Sequence, residues 1–308
     1  MTTTNTLRIG TRTSPLSLAQ TDEVVAHLRA AAPDLRIEVV PMNTEGDRNK
    51  IAPLLSMERG MFVKALEIAL LSNEVDLVVH SAKDLPSELP DGLTIGAITR
   101  REDPRDVIVN KWGLPLEELP EGARIGTSSP RRIAQLKRVR PDIGFIPIRG
   151  NVGTRLEKAQ GIDYDGVVLA AAGIVRLGRQ SEISQYLTPE VCVPDVGQGA
   201  LALEIRADDE ATRSLVAIAG HPHSSIAVRA ERAFLKAMGG GCTVPVAAYA
   251  VIENGRIVMS AVAATPDGST MVKDSESFAE SDPEGAGEKM ASTLLSMGAR
   301  EILAAGVS

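Results

Sequence analysis

Two stretches of this chain nearly repeat one another. RIGTRTSPLSLAQ runs from Arg8 to Gln20 and RIGTSSPRRIAQ from Arg124 to Gln135; they share RIGT, SP and AQ with one residue inserted. Each reads as a short strand entering a polar turn. Ser14 and Ser129 then read as helix N-caps, with Pro15 and Pro130 at the first helical position. A chain that opens twice with strand, turn and capped helix is constrained to two similar α/β domains. Their helix N-termini would face one another across a cleft.

The rest of the pattern agrees. RIEVVPM is a strand, MFVKALEIALLS a helix and VDLVVHS a buried strand. In the middle, IGFIPIR reads as a strand, NVGTRLEKAQ as a helix, and YDGVVLAAAGIVRLG as strand into helix. Strands alternating with helices signal an α/β fold. The last third changes character. SSIAVRAERAFLKAM is a helix, and TVPVAAYAVIENGRIVMSAVAATPDGS alternates like strands about an Asn254-Gly255 hairpin. EGAGEKMASTLLSMGAREILAAG closes the chain as one helix. This is a small α+β domain, joined at GGGC. Residues 43–60 show no period and read as a loop, and REDPRD at 101–106 reads as a crossover.

Composition narrows the function. With 44% hydrophobic residues but 3% aromatic, the cores are aliphatic. A net charge of −7 argues against a surface built for nucleic acid or anionic membrane. No apolar run reaches the roughly 18 residues of a spanning helix. The N-terminus lacks a basic-plus-apolar leader, which points to a soluble, cytoplasmic protein. Two cysteines, Cys192 and Cys242, make no disulfide framework, and no metal site is expected. GQGALA at 197–202 fits a loose dinucleotide pattern, but a strand follows it where a helix is required. HPH at 221–223 has no further ligand at metal spacing and reads as a turn. His80, after an apolar strand, reads as a satisfied, half-buried histidine at least as readily as a catalytic one.

Arg131 and Arg132 pose the functional question. They fall in the first turn of a helix, where the macrodipole disfavours a cation by about 0.3–1 kcal/mol. Arg12, Lys83, Arg149, Arg155 and Arg176 also sit near element ends. Open α/β sheets bind ligands at the carboxyl ends of their strands, and guanidinium groups pair bidentately with carboxylates and phosphates. A ligand with several acidic groups would place an anion between the arginines. Asp84, directly after Lys83, is either their counter-ion or the acid or charge stabiliser of a cationic intermediate. Cys242 follows three glycines, which allow close backbone approach, and is a candidate nucleophile or attachment thiol. Cys192 reads as core.

These motifs resemble the porphobilinogen deaminase family over nearly the whole chain. The matching stretches are RIGTRTSPLSLAQ, HSAKDLP, REDPRD, GTSSPRR, IRGNVGTRLEK, VGQGALALEIR and GGGCTVP, in order. Departures are small: Pro130 stands where the family usually has leucine, and Ala82 where methionine is common. The resemblance implies two periplasmic-binding-protein-like α/β domains and a small C-terminal α+β domain. Domain 1 would take residues 1–103 and 196–220, domain 2 residues 104–195, and domain 3 residues 221–308.

It also implies a transferase of tetrapyrrole and heme biosynthesis. Four porphobilinogens are joined head to tail on a dipyrromethane cofactor, each losing ammonia, and water releases hydroxymethylbilane. By residue matching, Cys242 would carry the cofactor in thioether linkage. Lys83, Asp84, Thr127, Ser128, Ser129, Arg131, Arg132 and Gln198 would hold it, and Arg12, Ser14, Arg149, Arg155 and Arg176 would hold substrate or the growing chain. Asp84 would be catalytic, a buried carboxylate stabilising positive charge on the pyrrole nitrogens. The expected partner is the small-molecule substrate alone, with no nucleic acid and no membrane, and the chain is expected to be a monomer. The rival readings are a non-catalytic two-lobed binding protein for a polycarboxylate and a DNA-reading regulator using SPRRIAQLKRVR.

Overall fold

The computed structural model describes residues 6–42, 63–239 and 245–305. The segment 43–60 and residues 240–244, which include Cys242, lie outside the described residues. In chain order the strands are β1 (Thr6–Arg12), β2 (Arg36–Met42), β3 (Leu77–Ser81), β4 (Leu93–Ile98), β5 (Asp106–Asn110), β6 (Arg124–Gly126), β7 (Gly144–Ile146), β8 (Gly166–Ala170), β9 (Gln185–Tyr186), β10 (Leu201–Arg206), β11 (Val246–Glu253), β12 (Arg256–Ala264) and β13 (Met271–Ala279). The chain divides into two compact units, Met1–Glu102 with Ala200–Ser225, and Asp103–Gly199 with Ile226–Ser308.

In the first unit the sheet order is β2-β1-β3-β10-β4. β1 runs parallel to β2 and β3, and β10 is antiparallel to both of its neighbours. Leu77, Val79, Leu201, Leu203 and Ile205 bury one face against Val24, Val25 and Leu28 of the Pro15–Ala31 helix. Leu66, Ala69 and Leu70 of the Lys64–Leu71 helix pack with Val75 and Val78. Strands covered on both faces read as continuous apolar runs, as VDLVVH does.

The second unit holds a sheet with the same plan, β7-β6-β8-β5-β9, in which β6 is parallel to β7 and β8 and β5 is antiparallel to β8 and β9. β1 and β6, the two RIGT strands, occupy the equivalent second position. In each sheet the antiparallel fourth strand comes from elsewhere in the chain: β10 returns to the first unit, and β5 precedes the other strands of the second. The near-repeat of sequence is a repeat of topology.

The same unit carries the antiparallel sheet β11-β12-β13. Asn254 (φ 50°) and Gly255 (φ 70°) make the expected tight hairpin. Phe234, Met259, Met290 and Leu294 are fully buried in its core, which the helices Pro222–Ala237 and Pro283–Ser296 cover. The turn after β12 touches the Pro130–Val139 helix so closely that a Cβ on Gly268 (φ +75°) would lie 2.2 Å from the Ala134 carbonyl oxygen. Gly268→Ala should therefore lower stability by about 1–3 kcal/mol, read as a drop in Tm. An unchanged Tm would show that this contact yields freely.

Three local expectations change. The closing helix is two helices, Pro283–Ser296 and Ala299–Ala305, because Gly298 at φ 96° leaves helical geometry. IGFIPIR supplies only Gly144–Ile146 to the sheet, since Pro147 has no N–H to donate. β13, MVKDSESFA, went unread because one of its faces is polar and exposed; pairing with β12 makes it a strand.

Candidate active site

The Pro130–Val139 helix begins where β6 ends. Ser129 caps it by accepting from the Arg132 N–H at 3.5 Å, and Pro130 takes the first helical position. Arg131 and Arg132 turn inward and are buried, at 5% and 7% exposure. Arg131 Nη1 donates to Asp106 Oδ2 at 2.6 Å and to the Val193 carbonyl at 2.8 Å. Arg132 donates through Nη2 and Nε to Asp106 Oδ1, at 2.7 and 3.0 Å, and through Nη1 to the Val168 carbonyl at 2.9 Å. Gln198 Nε2 adds a donor to Asp106 Oδ1 at 3.0 Å and binds the Pro104 carbonyl at 2.7 Å.

An anion does sit between the two arginines, and it is the chain's own Asp106. Burial alone would push this carboxyl up, but the Arg131 and Arg132 guanidiniums outweigh it and hold the group well below the usual carboxylate range. Burial likewise opposes the charge on Arg131, and Asp106 lifts that guanidinium above its ordinary value. Asp106 cancels one of the two arginine charges. Arg131 Nε is buried and has no hydrogen-bond partner among the described residues, at a helix N-terminus where the backbone favours anions.

Sequence reasoning missed Asp106, placing it in a crossover. Its signal was an acid heading the apolar run DVIVN, all five residues of which are buried.

The neighbouring polar residues form the turn itself. Thr127 is buried, donates its N–H to the Ile146 carbonyl at 3.0 Å and accepts from the Ser129 N–H at 3.3 Å. Ser128 Oγ bridges the backbone of Ile148, donating to its carbonyl and accepting from its N–H, each at 3.0 Å. Arg149, Arg155 and Arg176 are half-buried. Arg149 accepts through its carbonyl from Lys158 Nζ at 3.0 Å, and Arg155 Nε donates to the Gly150 carbonyl at 2.7 Å. Arg176 ends the Ala171–Arg176 helix that follows β8. Because β6, β7 and β8 are parallel, Thr127–Arg132, Arg149 and Ala171 all follow strand C-termini on one edge of this sheet.

Cys192 is fully buried beside the cluster. Its thiol lies 3.4 Å from Asp106 Oδ2, and burial, with Asp106 adding to it, pushes it up to about 12. It stays a protonated thiol near neutrality and cannot act as a nucleophile.

In the first unit, Lys83 and Asp84 lie on a single turn, Ala82–Asp84, directly after β3, fixed by the Ala82 N–H donating to the Ala200 carbonyl at 3.0 Å. Lys83 is half-buried. Asp84 is exposed, which corrects the expectation of a buried carboxylate: its turn projects beyond the strand end. Arg12 ends β1, and Ser14 caps the next helix, with its Oγ accepting from the Ser17 N–H at 3.1 Å and lying 2.8 Å from Ser17 Oγ. β1 and β3 are parallel neighbours, so Arg12, Ser14, Lys83 and Asp84 share the carboxyl edge of their sheet.

The turn motifs have other uses. Gly197 (φ 71°) and Gly199 (φ 91°) lead into β10, and the Gly197 N–H donates to Glu231 Oε2 at 2.7 Å. His221 Nδ1 accepts from the Ser224 N–H at 3.2 Å, a local turn. Among the described residues no group of three potential ligands could hold a metal, and no helix is long and apolar enough to cross a membrane.

Residues 7–214 match the family model "Porphobilinogen deaminase, dipyromethane cofactor binding domain", and residues 225–296 match "Porphobilinogen deaminase, C-terminal domain". The chain is 44% identical over 296 residues to the porphobilinogen deaminase of Carboxydothermus hydrogenoformans, covering 96% of this chain and 95% of that one. Among solved structures, the periplasmic VFT2 domain of Bordetella pertussis BvgS aligns with TM-score 0.42 at 16% identity, over 70% of this chain and 86% of that one. The regulatory domain of MexT, a transcriptional activator in Pseudomonas aeruginosa, aligns with TM-score 0.43 at 15% identity, over 71% and 98%. With both family domains matched in order and a relative this similar over nearly its full length, the chain belongs to the porphobilinogen deaminase family.

Proposed function

We propose that this chain carries out the family's transferase reaction through the residues gathered at its two sheet edges. Four porphobilinogens are joined head to tail on a dipyrromethane cofactor with loss of ammonia, and hydrolysis releases hydroxymethylbilane. The cofactor's pyrroles bear acidic side chains, and the donor set suits them: the Arg131 and Arg132 guanidiniums, the Thr127, Ser128 and Ser129 turn, and an orphaned, buried Arg131 Nε–H. When bound, the cofactor supplies the pyrrole carbon to which the first unit is joined. Lys83, Asp84 and the Thr127–Arg132 turn hold it, and Gln198 acts by fixing Asp106. Cys242 carries it in thioether linkage. Arg12, Ser14, Arg149, Arg155 and Arg176 take the carboxylates of substrate and growing chain, for which guanidinium forks are suited. The acidic chain acts as a cytoplasmic monomer on a small molecule, without nucleic acid. A binding protein without chemistry is not favoured, because the matched family domain is one that binds a reaction cofactor.

The observation that carries the catalytic assignment is the placement of Asp84. It is an exposed carboxylate on a short turn at the end of a central strand, next to Lys83. Loss of ammonia and attack by the next pyrrole place positive charge on pyrrole nitrogen. A fixed carboxylate within hydrogen-bond reach of that N–H lowers the barrier through a charge-assisted bond. Asp84→Asn keeps the shape and removes the charge. It should retain the cofactor by intact mass while kcat falls ~10²-fold or more; near-normal turnover would remove Asp84 from the mechanism.

A further inference from the structure

The first unit buries three titratable side chains that none of these roles uses. His80 lies on β3, Glu204 on β10 and Glu67 on the Lys64–Leu71 helix, at 6%, 0% and 7% exposure. His80 Nε2 and Glu204 Oε2 are 2.8 Å apart. The other oxygen of Glu204 and one oxygen of Glu67 are buried with no hydrogen-bond partner among the described residues.

Strand alternation explains how they meet. Leu77, Val79, Leu201 and Leu203 point toward the Pro15–Ala31 helix, so His80 and Glu204 point to the opposite face, which the helix bearing Glu67 covers. Among the described residues the other charges there are accounted for. Lys64, at the exposed start of that helix, acts on Glu67 from a distance. Arg206, further along β10, is engaged by Asp76, Asp209 and the Leu70 and Val75 carbonyls. β4 carries no titratable side chain.

Glu67 and Glu204 act on one another electrostatically, and two ionised carboxylates in this apolar layer would each keep an unsatisfied acceptor and repel. A proton on one removes the repulsion and supplies a donor for the other. We propose that Glu67 is held protonated and donates to Glu204, whose second oxygen binds His80, and that this buried chain positions Lys83 and Asp84. Burial first, and then the Glu204 charge, raise the Glu67 carboxyl above its ordinary range, in keeping with the protonated form.

The positioning follows from connectivity. His80 stands opposite Ala202 and Ser81 opposite Leu201 at the last paired positions of β3, and the Ala82–Asp84 turn begins at once. The His80–Glu204 bond crosses diagonally from β3 to β10, Glu204 standing opposite Val78, and so adds a side-chain tie to the backbone pairing just before the turn. Without it, backbone pairing that ends in the Ala82 N–H bond to the Ala200 carbonyl is left to set the corner carrying Asp84 against β10. Glu67, His80 and Glu204 are positioning residues and do not touch the reacting atoms.

This inference rests on the reading of Asp84 given above, and its test separates the two. In the holoenzyme, Glu204→Gln should lower kcat ~10- to 100-fold with KM little changed and the cofactor mass intact, because a small misplacement of a catalytic group costs that much. A merely structural role would lower Tm and leave kcat of the folded enzyme unchanged. Independently, the infrared difference spectrum of wild type against Glu67→Gln should show the carbonyl stretch of a protonated carboxyl that the variant lacks. Wild-type kcat in Glu204→Gln, or the absence of that band, overturns the proposal. If Glu204→Gln does not fold, the infrared comparison decides alone. Asp84→Asn with normal turnover would sink the Asp84 reading while the band remained.

Discussion

Replacing Cys242 by alanine should yield a protein at its bare sequence mass and without activity, whereas the wild type should carry an excess of two linked pyrrole units. Peptide mapping should place that excess on the fragment containing GGGCTVP. A thioether to a pyrrole methylene needs a sulfur nucleophile, and the chain has two cysteines. Cys192 is fully buried, hydrogen-bonded to Asp106 and pushed up to about 12 by its burial, so it offers neither access nor thiolate. Cys192→Ala should keep both cofactor and activity and lose about 1 kcal/mol or so of stability from the small cavity. An active, unmodified wild type would overturn the covalent reading, and an excess mapped to Cys192 would overturn the choice of residue.

The second large effect is expected at Asp106. Its carboxylate is the shared acceptor of Arg131, Arg132 and Gln198 in a fully buried site. Removing one partner of such a cluster leaves charge uncompensated in low dielectric and costs about 3–5 kcal/mol, a large part of the 5–15 kcal/mol that holds a typical domain. Asp106→Ala should therefore unfold at markedly lower urea concentration and be isolated without cofactor, since the two arginines lose their geometry. Asp106→Asn keeps the volume and should lie between the two.

The pH dependence has a definite sign. The folded carboxyl is held below its unfolded value, so its contribution is fully present above about pH 4–5 and is lost as pH falls toward the folded value. The stability gap between wild type and Asp106→Asn should be constant near neutrality and narrow in acid. Equal stability at pH 7, or a gap that opens only in alkali, would show that Asp106 does not hold the cluster.

How far the site was legible follows from the range of the interactions that build it. Ser14-Pro15 and Ser129-Pro130 announced two helix starts because a cap is a contact between residues three apart. The RIGT repeat announced two like sheets because strand, turn and helix are contiguous. Asn254-Gly255 announced a hairpin because its backbone angles are set by those two residues. The placing of Arg12, Lys83 and Arg149 at or just after strand ends was also visible, whereas Arg155 lies within the Val152–Lys158 helix and Arg176 at the end of the Ala171–Arg176 helix.

The reason for Arg131 and Arg132 was not visible. Their partner stands 25 and 26 positions away, on a strand that joins the sheet out of sequence order beside β8. The exposure of Asp84, the pairing of His80 with Glu204 across 124 positions and the sealing-in of Cys192 likewise depend on which strands become neighbours. The sequence alone determined the local elements and the kinds of residue at the strand ends, because those depend on contacts within a few positions. Only the tertiary structure decided which charges neutralise one another inside and which remain to meet a ligand, because burial and pairing depend on strand order, which no local pattern encodes.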